Sequence, residues 1–199
     1  MIEFIQTYLP NVYKLGWSGQ YGWGTAIYLT LYMTVISFII GGFLGLVTGL
    51  LLVLTRPGGV IENRIVFQIL DKITSLFRAI PFIILLAFIN PLTYLLLKNT
   101  IGPTAALVPL SLAVFPFFAR QVQVVLSELD GGVIEAAQAS GATFWDIVGV
   151  YLREGLPDLI RVTTVTIISL IGETAMAGAV GAGGLGTLAI NYGKNMFNN

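Results

Sequence analysis

Two charged side chains lie at or within the long apolar runs of this sequence, where they could act on a charged ligand or ion. Glu173 falls inside the run 163–180, and Arg78 directly precedes Ala79-Ile80-Pro81. A charged group in hydrocarbon is costly and by default indicates a pathway or interface role. Glu173 and Arg78 are therefore pathway candidates, together with Met176. The alternatives are that Glu173 is hydrogen-bonded between helices and that Arg78 anchors a helix end at the membrane surface.

The residue types exclude every site that needs histidine or cysteine. The chain contains no histidine and no cysteine, which excludes disulfides, Cys/His metal sites and His- or Cys-based catalytic pairs. It also contains no G-x-x-x-x-G-K-[ST] loop with which to bind ATP. The segment Gly181–Gly186 matches G-x-G-x-x-G, but it lacks the preceding strand and the later acidic residue that a dinucleotide site needs. We expect no catalytic residue, metal or cofactor in this chain, and a flexible or closely packed backbone at these glycines.

Composition places the chain among membrane proteins. Of its 199 residues, 56% are hydrophobic and 10% are charged, and the mean hydropathy is +0.86. Soluble domains carry about 25% charged residues. The formal net charge is zero, so no basic field indicates nucleic acid as a partner.

Four apolar runs are predicted to cross the membrane as helices, in an all-α fold that forms a single transmembrane domain over residues 1–199. The second run is preceded by an amphipathic foot over 65–78 and should kink at Pro81 and Pro91. A short interfacial segment is predicted over residues 1–24. The predicted spans are 25–54, 79–97, 104–126 and 159–180.

Gly41, Gly45 and Gly49 recur every four residues on one face of the first span. Small residues at this spacing allow another helix backbone to approach closely. The partner helix could belong to the same chain or to a second subunit.

The loop 127–158 is polar and patterned in an otherwise apolar chain, which suggests a docking surface. On a helix, Ala136, Ala139, Ser140 and Thr143 would share one face that brings backbone close to a partner. Glu135 is expected near the helix start, where a carboxylate suits the helix dipole. The alternative is a merely amphipathic surface helix. The predicted docking residues are Glu135, Ala136, Ala137, Ala139, Ser140 and Gly141.

Orientation follows from the lysines and arginines in short loops. Six of them lie in or beside the turn after the first span and the loop 127–158, against three on the other side. The count predicts a cytoplasmic loop 127–158 and an N-terminus outside.

Glu135-Ala136-Ala137, followed by Gly141, resembles the EAA loop of ABC importer permeases of the type I fold. The later Leu156-Pro157 stands three positions beyond the usual place of Leu-Pro in that loop. Arg78–Leu85 and, more specifically, Thr174–Gly186 are similar to signatures of the methionine-importer permeases.

This resemblance implies an integral-membrane homodimer in the bacterial plasma (inner) membrane, in contact with lipid. It implies two copies of a separate ABC ATPase that bind ATP and Mg, and an extracytoplasmic binding protein that delivers methionine. It also implies a fifth span after the glycine-rich turn. The sequence has no further apolar run of span length, so we expect a truncated or partial chain.

Three alternatives stay open at this point. The permease could carry another amino acid or a short peptide. The chain could be an ion-coupled carrier, although such carriers show paired intramembrane charges and repeated halves. It could also be a membrane anchor for cytoplasmic partners that does not itself transport.

Overall fold

The computed structural model describes residues 16–19 and 22–195, and side chains as far as Gly193. All regular secondary structure in this part of the chain is helical, which confirms the predicted all-α class. The helices are α1 (Trp23–Ser37), α2 (Phe43–Thr55), α3 (Arg64–Ala79), α4 (Phe82–Phe88), α5 (Asn90–Leu97), α6 (Pro103–Ser127), α7 (Gly131–Ala139), α8 (Phe144–Glu154), α9 (Leu156–Ala179) and α10 (Gly184–Leu188), with π-helical turns at Phe38–Gly42 and Ala189–Asn195. The interfacial segment predicted for 1–24 lies mostly outside the described residues.

In the described part of the chain, three helices are long and apolar enough to cross a membrane. The first is the continuous run Trp23–Thr55, in which the π-helical turn joins α1 to α2. The other two are α6 and α9. These three helices cover the first, third and fourth predicted spans.

The second predicted span is divided. A break at Ile80-Pro81 separates α3 from α4, and Ile89 separates α4 from α5, which has Pro91 near its start. Proline lacks an N–H donor and disfavours helix in the preceding residue, so the breaks fall beside the two prolines expected to kink this segment. Neither α4 nor α5 has membrane length by itself, and the count of four spans stays a prediction.

The described residues group into two compact units, each built from separate chain segments. The first unit comes from 1–39, 80–112 and 168–199. Here the glycine-rich turn is closely packed. Gly181, Gly183 and Gly184 have φ values of 99°, 87° and 76°, Leu185 N donates to Thr30 Oγ1 at 3.0 Å, and a Cβ on Gly186 would collide with the Ala175 backbone. Glycine is therefore required in this turn both for its conformation and for its small size.

The second unit comes from 40–79 and 113–167. In it the glycines of the first span face α6. A Cβ on Gly45 would lie 2.8 Å from the Phe115 carbonyl oxygen, and one on Gly49 would lie 2.5 Å from that of Ala119. Gly41 is buried in the π-helical turn. Gly45 and Gly49 thus permit close helix packing inside this chain, the first of the two possibilities raised by their spacing.

Candidate functional site

The loop 127–158 folds into two short helices, α7 and α8. Asp130 caps α7, and its Oδ1 accepts a hydrogen bond from Gly132 N at 2.8 Å. Because α7 begins at Gly131, the expectation that Glu135 lies near a helix start was wrong. The carboxylate at the positive end of this helix is that of Asp130, and Glu135 lies in mid-helix.

The turn between the helices shortens the predicted small-residue face. Ser140 ends α7, with its N and Oγ both donating to the Ala136 carbonyl oxygen at 3.0 and 2.9 Å. Gly141 follows with φ of 83°, a conformation that favours glycine. Thr143 begins the next helix, so the expectation that it shares a face with Ala136 and Ala139 was wrong.

A reciprocal cap fixes the start of α8. Thr143 Oγ1 accepts from Asp146 N at 3.4 Å, and Thr143 N donates to Asp146 Oδ2 at 2.9 Å. The Thr143 hydroxyl also donates to Asp146 Oδ2, at 2.6 Å. These hydrogen bonds favour the ionised carboxylate and lower the pKa of Asp146. The two helices are therefore joined by a turn with defined conformation at both ends.

The small residues of α7 are presented outward. Ile134 is buried and Ala137 is half-buried, whereas the other predicted docking residues are exposed. Trp145, packed edge-on to Phe144 with ring centroids 5.2 Å apart, is 76% exposed. The loop thus exposes small side chains on α7, with the largely exposed Trp145 at the start of α8. The exposed members are Glu135, Ala136, Ala139, Ser140 and Gly141.

A polar cavity of about 250 Å³ lies beside α7, inside the second unit. Arg56, Glu135 and Tyr151 are among its lining residues. Arg56 is half-buried and its Nη1 donates to the Ser127 carbonyl oxygen at 3.4 Å. The cavity brings together residues from the turn after α2, from α7 and from α8. The sequence singled out neither Arg56 nor Tyr151 as a site residue, because no local pattern indicates a contact between such distant positions.

The pathway candidates lie in different parts of the fold. Glu173 is a half-buried residue of α9, and its Oε2 is buried without a hydrogen-bond partner among the described residues. This oxygen does not make the interhelical hydrogen bond considered as the alternative. Met176, also on α9, is 51% exposed. Arg78 is an exposed residue in the last turn of α3, in the other unit.

Apolar helices of membrane length, joined by an exposed helical loop of small residues, define this chain as a helical membrane protein with a candidate docking surface. The chain belongs to the family of binding-protein-dependent transport system inner membrane components, whose profile matches residues 41–199. This membership confirms the resemblance to importer permeases that the sequence indicated.

Curated relatives match over most of the chain. It is 49% identical over 167 residues to the probable D-methionine transport system permease protein MetI of Pasteurella multocida, covering 83% of this chain and 77% of that protein. It is 45% identical over 153 residues to the D-methionine transport system permease protein MetI of Escherichia coli K12, covering 76% and 70%.

Solved structures give the same answer. An inward-facing structure of the MetNI methionine ABC transporter matches with a TM-score of 0.86 at 44% identity, over 88% of this chain and 82% of that one. An amino acid ABC transporter matches with a TM-score of 0.70 at 16% identity, over 98% and 84%. The second likeness concerns the fold alone.

Proposed function

We propose that this chain is the methionine permease subunit of an ATP-driven ABC importer. The observation that carries the proposal is the exposed small-residue helix α7, which lies between two apolar helices of membrane length in a member of the binding-protein-dependent family. Methionine is proposed as the substrate because relatives that are 44–49% identical over the aligned residues are named for methionine or D-methionine transport.

In this proposal α7 docks a separate ATPase subunit, which binds ATP and Mg and supplies the energy. Support comes from the sequence, which has no phosphate-binding loop of its own. The exposed alanines of α7 let a partner approach the backbone closely, and Trp145 adds a large aromatic contact of the kind enriched at interface hot spots. Two ATPase copies, a second copy of this chain and an extracytoplasmic binding protein complete the assembly.

The chain crosses the membrane four times in this proposal, with the loop 127–158 in the cytoplasm and the N-terminus outside. The second crossing is the predicted span 79–97, which contains α4 and α5. The excess of lysine and arginine in the two loops on one side supports the orientation.

Glu173, Arg78 and Met176 are proposed to contact the substrate path. The buried, unpartnered Oε2 of Glu173 supports this role, because an unpaired carboxylate oxygen away from water is costly unless a ligand or another chain uses it. Met176 supplies an exposed, flexible apolar side chain on the same helix.

The deciding experiment is methionine uptake by liposomes that contain this chain with its ATPase and binding protein. We expect uptake only when all three proteins and ATP are present. Uptake without ATP would instead indicate an ion-coupled carrier, and no uptake under any condition would indicate an anchor. Competition by other amino acids and short peptides tests the substrate.

The same assay tests the pathway proposal. Glu173→Gln should lower uptake about tenfold or more, as expected for the loss of a buried charge contact. Glu128→Gln, the same change at an exposed position, is the control. Equal uptake by the two variants would remove Glu173 from the path.

A further inference from the structure

A polar cluster joins the amphipathic helix α3 to α6. Arg120 Nη2 contacts Asp71 Oδ1 at 2.7 Å and donates to Ser75 Oγ at 2.9 Å. Arg120 Nη1 donates to Gln123 Oε1 at 2.6 Å. Asp71 and Ser75 lie one turn apart on α3, so one guanidinium group holds two successive turns of that helix.

Within this cluster, Asp71 and Arg120 form the only ion pair between helices in the part of the chain that the structure describes. The other pair there, Asp158 with Arg161, lies within α9 and its side chains are 46% and 76% exposed. The side chains of Asp71 and Arg120 are 36% and 21% exposed. Partial burial and charge-assisted hydrogen bonds make such a pair stronger than an exposed one, which contributes little.

The cluster adds a polar contact to a helix that buries few of its side chains. Thr74 is its only buried residue, and large apolar side chains on its opposite face are exposed. The face that carries Asp71 and Thr74 also has the half-buried side chains of Phe67, Leu70 and Phe77, so the cluster supplements a limited apolar contact. The exposed apolar residues include Ile65, Ile69 and Leu76.

The position of Arg120 along α6 gives the contact a consequence for transport. Arg120 lies about two turns before the end of α6 at Ser127, and α7 begins four residues later at Gly131. The helix that carries Arg120 therefore leads directly into the loop 127–158, which contains the proposed docking helix α7. Asp71, on the other side of the contact, lies on α3, which continues through Arg78 and ends at Ala79 before the break that precedes α4.

We propose that Arg120 is a positioning residue that makes α3 move together with α6 when the ATPase displaces α7. The inference rests on the proposed importer function and adds a route by which the displacement reaches Arg78. Arg120 itself need not touch the substrate. A lysine could retain one contact with Asp71 but not the forked set of hydrogen bonds that spans Asp71, Ser75 and Gln123.

The test uses the liposome-reconstituted complex with ATPase and binding protein, and measures methionine molecules imported per ATP hydrolysed. Asp71→Asn, which keeps the side-chain shape and removes its charge, should lower this ratio about 5- to 10-fold while ATP hydrolysis continues. The charge-swapped double variant Asp71→Arg with Arg120→Asp should recover a large part of the loss. Asp158→Asn, which removes the charge from the exposed pair, is the matched control and should leave the ratio unchanged.

Each outcome supports or overturns the positioning role of Arg120. A normal ratio in Asp71→Asn would overturn the proposal. A variant that no longer assembles with the ATPase, or a loss that the charge swap does not recover, would assign the cluster a purely structural role and overturn it as well. If the unaltered complex shows no ATP-dependent uptake, the importer function fails instead, and the two failures are thereby distinguished.

Discussion

At position 141, the need for glycine can be assigned to one cause. Its φ of 83° lies in the left-handed region, and a Cβ placed on it would meet no atom within 4 Å. The need for glycine is therefore conformational and not steric. Gly149, inside α8, also has open space around a Cβ, but its φ does not lie in the left-handed region. The two glycines differ in the one property that matters.

Substituting these glycines should give opposite results. Gly141→Ala should destabilise the protein by about 1–2 kcal/mol, the cost of a side chain in the left-handed region. Gly149→Ala should stabilise it by about 0.5–1 kcal/mol, because alanine is the better helix former. Thermal unfolding in detergent, followed by circular dichroism, measures both. If Gly141→Ala is as stable as Gly149→Ala, the turn between α7 and α8 does not need the observed backbone conformation.

At the scale of elements, local patterns predicted what depends on neighbouring residues. Apolar run length predicted the helices that cover the first, third and fourth spans, and Pro81 and Pro91 predicted where the second would break. The sequence placed the start of α7 near Glu135, whereas the structure begins the helix at Gly131. The side chain of Asp130 caps the helix there, and a hydrogen bond of this kind cannot be assigned from residue types alone. The contacts of Arg56 and Arg120 join positions 71 and 49 residues apart. No periodicity in one sequence reports such pairs, although a lone arginine near the end of an apolar helix is a signal that a partner exists.

The exposed face of α7 makes a prediction about this element. Ala139→Trp places a large side chain on the face that we propose contacts the ATPase, where small side chains let the partner approach the backbone closely. We expect the variant to fold but to lose copurification with the ATPase, by tenfold or more if the face is central to the interface. Ala189→Trp, at an exposed alanine outside the loop, should copurify normally. Unchanged copurification of Ala139→Trp would move the docking surface away from α7.

At the scale of the whole molecule, the open question is which segments cross the membrane. Three helices of the described residues are long and apolar enough to cross, and three crossings would put the start of α1 and the end of α10 on opposite sides. Four crossings would put both ends on the same side. The difference depends on α3, α4 and α5, each of which has fewer residues than the roughly 20 that a membrane-spanning helix needs. The sides of the loops before α3 and after α5 therefore decide the number of crossings.

The absence of cysteine from the sequence makes that decision accessible. Single cysteines at Ile61, Thr100 and Ser140, all exposed, report the loops before α3, after α5 and after α7. With a membrane-impermeant maleimide on intact cells that produce this chain without its ATPase, we expect Thr100→Cys to be labelled and the other two to be protected until the membrane is opened. Labelling of Ile61→Cys and Thr100→Cys from the same side would mean that α3–α5 does not cross. Because α6 crosses the membrane between Thr100 and Ser140, these two cysteines must be labelled from opposite sides whether the chain crosses three or four times. Their difference is the internal control. The side on which Ser140→Cys reacts also tests whether α7 faces the cytoplasm, where an ATPase that uses cellular ATP must dock.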